Sequence, residues 1–224
     1  MNKKQLIITE DGSHTLFLPE LNEHYHSIHG AVAESMHVFI DAGLRPKMKD
    51  CAKLNILEVG LGTGLNAALA LLEAESKNIL LNYYALEPNP LCAEDVLKLN
   101  YSEITGGERM KEIIPAIHTA NRENEVHISE FFHFSYFEKR IQDVEFENSF
   151  FDLVFFDAFS PGVQPEMWTT DVFQKTSDAM KTGGVLVTYV AKGEVRRTLK
   201  SCGFSIEKLP GFAGKREMTR ARKV

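Results

Sequence analysis

The feature that most constrains this chain is Asn55-Ile-Leu-Glu-Val-Gly-Leu-Gly-Thr-Gly-Leu-Asn66. An apolar run of strand length enters three alternating glycines and then opens onto a helical stretch. Glycine lets the chain turn tightly and lets backbone approach a ligand closely, because no Cβ intrudes. Strand, glycine turn and helix form a nucleotide-type ligand site at the carboxyl edge of a parallel sheet. The spacing narrows the ligand. Gly60, Gly62 and Gly64 give G-x-G-x-G, whereas the dinucleotide fingerprint G-x-G-x-x-G needs glycine where Leu65 stands. No G-x-x-x-x-G-K-[ST] occurs, which argues against a P-loop.

Apolar runs predict strands at about 54–59, 79–87, 126–129, 151–157, 184–190 and 204–208. Helices fit between them at about 64–75, 90–100, 107–120, 166–181 and 191–202. This alternation implies a Rossmann-like α/β fold, with a mostly parallel sheet covered on both faces. Residues 22–42 read as a further helix, since Ile28, Val32, Met36 and Ile40 recur every fourth position. Lys181-Thr-Gly-Gly184 reads as a helix stop and turn, and 217–223 suits a closing strand. With 224 residues and 44% apolar content, one domain is expected. Residues 51–224 would form the Rossmann-like unit, and 1–50 an extension packing over its ligand face.

Three cysteines, Cys51, Cys92 and Cys202, form no C-x-x-C and read as free thiols in a reducing compartment. The apolar run near Met1 is too short for a signal peptide. No stretch approaches the roughly 18 apolar residues of a membrane span. A cytoplasmic protein without membrane contact is expected. The net charge of −6 is unevenly spread. From Ala191 onward there are ten Lys/Arg and three acids, against 15 and 28 before it. That asymmetry reads either as a footprint for a polyanion or as a solvated helix face with a basic tail.

Two acids stand at strand ends. Glu87 follows the run 79–86, where an acid can accept both hydroxyls of a ribose. Together with G-x-G-x-G it resembles the S-adenosylmethionine site of Rossmann-like methyltransferases. Asp157 ends Phe151-Asp-Leu-Val-Phe-Phe-Asp157, while Asp152 at the strand start belongs to the opposite edge. The following Ala158-Phe-Ser-Pro-Gly-Val-Gln-Pro165 breaks regular structure, and such loops carry substrate contacts in α/β enzymes. Asp157 is therefore a candidate for chemistry, or else a turn or capping acid. Trp168 and Phe159 either stack on a base or line the core, and for Trp168 core packing is the favoured reading. His24, His26 and His29 form no H-E-x-x-H, and no Cys or Asp joins them at ligand spacing, so no metal site is expected.

A longer set of segments identifies a family by resemblance. Glu23-His-Tyr-His-Ser, Gly30-Ala, Glu34-Ser, Val38-Phe, Glu58 to Asn66, Asp157-Ala-Phe-Ser-Pro, Pro165-Glu-Met-Trp168, Gly183-Gly, Val195-Arg-Arg, Gly203-Phe and Gly211-Phe-Ala-Gly-Lys-Arg-Glu-Met218 run in one order. They resemble the methyltransferase domain of the MnmC family, tRNA wobble-uridine modification enzymes. The resemblance implies S-adenosylmethionine as cofactor and methyl transfer to the primary amine of 5-aminomethyl-(2-thio)uridine in tRNA. It also implies dealings with the enzymes that install the aminomethyl group. Cofactor contacts would come from Glu58, Gly60, Gly62, Gly64, Asn66 and Glu87, joined by Tyr25 and Ser27. Asp157 would hold the substrate ammonium, accept a proton and orient the neutral amine. Substrate contacts would fall on Phe159, Pro161 and Trp168, with Arg196, Arg197, Lys215 and Arg216 meeting phosphates. In bifunctional members a flavin-dependent oxidase domain follows. This sequence stops soon after Met218, so a stand-alone methyltransferase is expected.

One departure concerns adenine. Family members carry an Asp for its amino group at a strand end for which Val126-His-Ile-Ser-Glu-Phe-Phe-His133 stands here, offering Glu130, Phe131 and Phe132 instead. Two other functions compete. One is a methyl- or aminopropyl-transferase for a small amine. The other is a cofactor-sensing binding module without catalysis.

Overall fold

The computed structural model describes residues 4–49, 51–105, 107–122 and 124–224. It begins with a small antiparallel sheet of β1 (Gln5–Ile8), β2 (His14–Leu18) and β3 (Glu23–His24). A helical rod follows: α1 (Ala31–Ser35), a wider π-helical stretch (Met36–Leu44), and α2 (Arg45–Met48). The chain then runs β4 (Lys53–Val59), α3 (Leu65–Lys77), β5 (Leu80–Leu86), α4 (Ala93–Val96), α5 (Tyr101–Thr105) and α6 (Glu108–Thr119). It continues through β6 (Val126–Ser129), β7 (Phe132–Phe137), β8 (Phe151–Phe156), α7 (Thr170–Ala179), β9 (Met180–Thr188), α8 (Gly193–Ser201), β10 (Phe204–Pro210) and β11 (Glu217–Lys223).

The main sheet has the order β10-β11-β9-β8-β4-β5-β7-β6. Five of its strands, β9, β8, β4, β5 and β7, are parallel, so their carboxyl ends share one edge. Strands covered on both faces need continuous apolar runs, and Leu153, Val154, Phe155 and Phe156 are fully buried. Alternate residues feed two cores. Phe155 and Tyr83 pack under the helical rod, α3 and α6, while Val154 and Phe156 pack under α7 and α8. Each such side chain contributes about 1.5–3 kcal/mol by burial.

The structure corrects three expectations. The helix read over 22–42 starts only at Ala31. Its first N–H groups are capped from a distance: Ala31 N donates to Ser13 Oγ at 3.0 Å and Ala33 N to Asp11 Oδ2 at 2.9 Å. Upstream, Glu23 and His24 instead pair with β2. The strand expected at 126–129 is present as β6, but as the outer, antiparallel arm of a hairpin. The strand beside β5 is β7, which was not expected from the sequence. Finally, Lys181–Gly184 does not separate helix from strand. β9 already begins at Met180, and pairing jumps from Phe151↔Met180 to Leu153↔Val185, a bulge. Asp152 does lie at the amino edge, where it accepts from Asn55 N at 2.9 Å and Lys181 Nζ at 2.8 Å. No helix among the described residues is long and apolar enough to cross a membrane.

Candidate active site

A cavity of about 730 Å³ opens at the carboxyl edge, between the ends of β4, β5 and β8 and the N-terminal segment. The glycine loop forms its floor. Gly60 has φ +92°, and a Cβ there would lie 2.6 Å from the carbonyl oxygen of Asp157. Gly62 has φ +51°, and its Cβ would meet the Tyr25 ring at 2.9 Å. Gly64 faces away, towards His118 on α6. Of the three glycines, Gly60 and Gly62 line the cavity.

Glu87 lies just past β5 and is buried. Its Oε2 accepts from Gly62 N at 3.0 Å and its Oε1 from Asn89 N at 2.8 Å. Burial raises its pKa despite those bonds. Each oxygen keeps a second lone pair for a hydroxyl.

Asp157 lies one residue beyond β8, and its N–H donates to Val59 O at 2.9 Å. Its Oδ2 accepts from Asn66 Nδ2 at 2.9 Å. Burial, aided by the nearby Glu34 charge, pushes its pKa up to about 8, against the Asn66 bond and Lys215. Glu34 is itself held: Oε2 accepts from Ser27 N at 2.8 Å, and Oε1 pairs with Lys215 Nζ at 3.0 Å. Lys215 Nζ also sits 4.9 Å from the centre of the Tyr189 ring.

The loop after Asp157 is tied down residue by residue. Tyr189 Oη donates to Ala158 O at 3.0 Å, Phe159 N to Gln164 Oε1 at 3.0 Å, and Ser160 Oγ to Glu23 Oε1 at 2.9 Å. Trp168 Nε1 donates to Phe159 O at 2.9 Å. The Phe159 and Tyr25 rings meet edge to face, 5.4 Å between centres.

The predicted site residues therefore separate. Gly60, Gly62, Glu87, Tyr25, Asp157 and Phe159 share the cavity wall. Glu58 and Asn66 are buried behind it. Ser27 serves Glu34, and Pro161 lies on the loop outside the lining. Trp168 is a core residue, packed on Phe156 and Phe173. Arg196 is not at the site: its buried guanidinium donates to Thr219 Oγ1 at 3.0 Å, Glu217 Oε2 at 2.6 Å and Met218 O at 3.0 Å, clasping β11. Lys215 is committed to Glu34, while Arg197 and Arg216 are exposed.

Sequence reasoning missed three contributors. His26 lines the cavity with Nε2 2.7 Å from Thr63 Oγ1, and burial pushes its pKa down to about 4, so it is neutral. Lys139 and Arg140 reach the cavity from the end of β7. The departure noted around Glu130 is thereby corrected: that residue lies in the β6–β7 turn at the amino edge, remote from the cavity. His26 lies within Glu23-His-Tyr-His-Ser27, where Tyr25 and Ser27 were expected at the cofactor and His26 was not. The strand expected at 126–129 is present as β6, but no strand was expected at β7, and Lys139 and Arg140 follow that one. Among the described residues one group has metal-ligand spacing, Glu125, His127 and His133, on the same remote hairpin.

Backbone cradle, buried carboxylate and partly apolar walls at Leu18, Ile141 and Met167 fit a nucleoside-bearing cofactor. A family model described as S-adenosyl-L-methionine-dependent methyltransferase matches residues 110–224. The chain belongs to this family.

Relatives of this methyltransferase sharpen the likeness. A "tRNA 5-methylaminomethyl-2-thiouridine biosynthesis bifunctional protein MnmC" of Cupriavidus metallidurans is 30% identical over 96% of this chain and 33% of its own length. The protein of the same name from Aromatoleum aromaticum is 29% identical over 97% of this chain and 35% of its own length. The chain thus spans about a third of these relatives. A crystal structure of MNMC2 from Aquifex aeolicus superposes with a TM-score of 0.78 at 28% identity, covering 99% of this chain and 71% of that one. The resemblance to the MnmC methyltransferase domain is borne out. S-adenosylmethionine is the cofactor of this family, and Gly60, Gly62, Glu87, Tyr25 and His26 are the residues that would hold it.

Proposed function

We propose that this methyltransferase acts on the primary amine of 5-aminomethyl-(2-thio)uridine at the tRNA wobble position. The observation that carries the reading is Asp157, a carboxyl on the cavity wall whose pKa is pushed up to about 8. A primary alkylamine, like a lysine, holds its proton to about pH 10.4. As an ammonium it has no lone pair to attack with. A carboxyl near 8 is a far better matched acceptor than an ordinary one, and matching to the working pH is what general-base catalysis needs. When bound, S-adenosylmethionine supplies an electrophilic methyl group on a sulfonium. An approaching ammonium favours the ionised form of Asp157, which binds it, takes its proton and leaves the neutral amine oriented. Phe159 and Tyr25 offer aromatic faces beside Asp157 for a splayed base. The names of the relatives supply the tRNA.

The test is methyl transfer from labelled S-adenosylmethionine to bulk tRNA from cells lacking this protein, followed by nucleoside analysis. Label in 5-methylaminomethyl-type uridine is expected. Label found only when a small amine is added would overturn the tRNA reading. Absence of thermal stabilisation by S-adenosylmethionine would instead indicate that this chain does not bind the cofactor.

A further inference from the structure

Behind the cavity wall one amide joins two carboxyl groups. Asn66 Nδ2 donates to Glu58 Oε1 at 3.0 Å and to Asp157 Oδ2 at 2.9 Å. Both hydrogens of the amide are thereby used. Asn66 is 2% exposed and Glu58 fully buried, so this amide does not reach the cavity. Three buried atoms in the cluster lack a well-formed hydrogen bond: Glu58 Oε2, Asn66 Oδ1 and the Tyr83 hydroxyl, which interacts with Glu58. A fully buried carboxylate is strongly disfavoured as an anion, and burial raises the Glu58 pKa well above its ordinary value against its contacts with Asn66 and Tyr83. The hydroxyl of Tyr83, itself buried, is the polar group beside it. Asp157 differs from Glu58. Its Oδ1 has no protein partner among the described residues and is not enclosed, so it opens on the cavity.

We propose that Asn66 is a positioning residue for methyl transfer: it fixes Asp157 Oδ2 as an acceptor, leaves Oδ1 as the oxygen that exchanges a proton with substrate, and is itself anchored by a neutral Glu58. The asymmetry follows from the hydrogens. Asn66 donates to Oδ2, and the carbonyl oxygen of a carboxyl group accepts better than its hydroxyl oxygen, so a protonated Asp157 carries its proton on Oδ1. The substrate ammonium gives its proton to that oxygen, and its N–H bond electrons become the lone pair that attacks. Glu58 keeps its proton throughout. Asn66 thus acts through Asp157 rather than on the cofactor, unlike the contact that the family resemblance implied.

The inference rests on the proposed reaction, and its test is separable from it. The carboxyl carbon of Asp157 is followed by NMR in protein labelled at aspartate, assigned by its loss in Asp157→Asn. Titration near pH 8 is expected in the unchanged protein. In Asn66→Ala the loss of a bond that favours the anion should move that titration to higher pH. S-adenosylmethionine affinity by calorimetry should stay within about twofold. Glu58→Gln, which imitates a neutral Glu58, should leave the Asp157 titration where it was. With tRNA, Asn66→Ala should lower turnover about tenfold or more and move the acid limb of its pH profile to higher pH. If Asp157 titrates unchanged in Asn66→Ala, or if cofactor affinity is what collapses, the assignment is wrong. Failure of tRNA methylation by the unchanged enzyme would strike the proposed function and leave the NMR result standing.

Discussion

The carbonyl oxygen of Asp157 lies 2.6 Å from where a Cβ on Gly60 would stand, so the glycine loop and the end of β8 meet backbone to backbone. The contact couples the floor of the cavity to its candidate base. Gly60→Ala has no room for its methyl and must also hold φ +92°. Backbone strain alone costs about 1–3 kcal/mol. Urea unfolding should show at least that loss, and calorimetry should show weakened S-adenosylmethionine binding. Unchanged values for both would mean the loop shifts freely.

Asp157→Asn keeps the shape and cannot accept a proton. Turnover should fall about 100-fold or more, with cofactor affinity little changed. Stability should respond in the opposite sense. The folded carboxyl titrates at about 8, far above its ordinary 3.8. Its contribution to stability is therefore full below pH 3.8 and is lost as pH rises towards 8. The Asn variant should melt above the unchanged protein at pH 8, and the gap should close towards pH 4. Equal melting temperatures at pH 8 would contradict the raised pKa.

Glu87→Ala removes the carboxylate that accepts from Gly62 and Asn89. Calorimetry should show S-adenosylmethionine binding weakened by about 1.5–3 kcal/mol, the range for a hydrogen bond to a charged group. Full affinity in this variant would remove Glu87 from the cofactor site.

Arg197 and Arg216 are exposed, whereas Arg196 and Lys215 are engaged in ion pairs. Reversing Arg197 and Arg216 to Glu should weaken tRNA binding and lower the slope of affinity against salt by about two. Cofactor binding should not move. A filter-binding series over salt checks it, and an unaltered slope would put the phosphate contacts on other cations.

Much of the frame is legible in local sequence because its causes are local. Alternating glycines after Val59 force the turn, and unbroken apolar runs such as Leu153 to Phe156 require a strand covered on both faces. The end of such a run puts Glu87 and Asp157 at the ligand edge. Where the periodicity is shared by two structures, local reading fails. Ile28 fits a helical spacing, yet it lies in the loop upstream of a helix whose first N–H groups are satisfied by Asp11 and Ser13. Val126 to Ser129 reads as a strand and is one, but Phe132 to Phe137 form a second, and only pairing with β5 shows which of them reaches the cavity.

By itself the sequence determined the class of fold, the glycine cradle and the two acids at strand ends, since these follow from residue type and spacing. Tertiary structure decided which charges are available and which groups are neutral. Arg196 belongs to β11 because Glu217, Thr219 and Met218 surround it. Lys215 belongs to Glu34, 181 positions away. Asp157 titrates at about 8 and His26 at about 4 because folding removes water from both. Burial and long-range hydrogen bonds are properties of the packed chain, and no window of residues contains them.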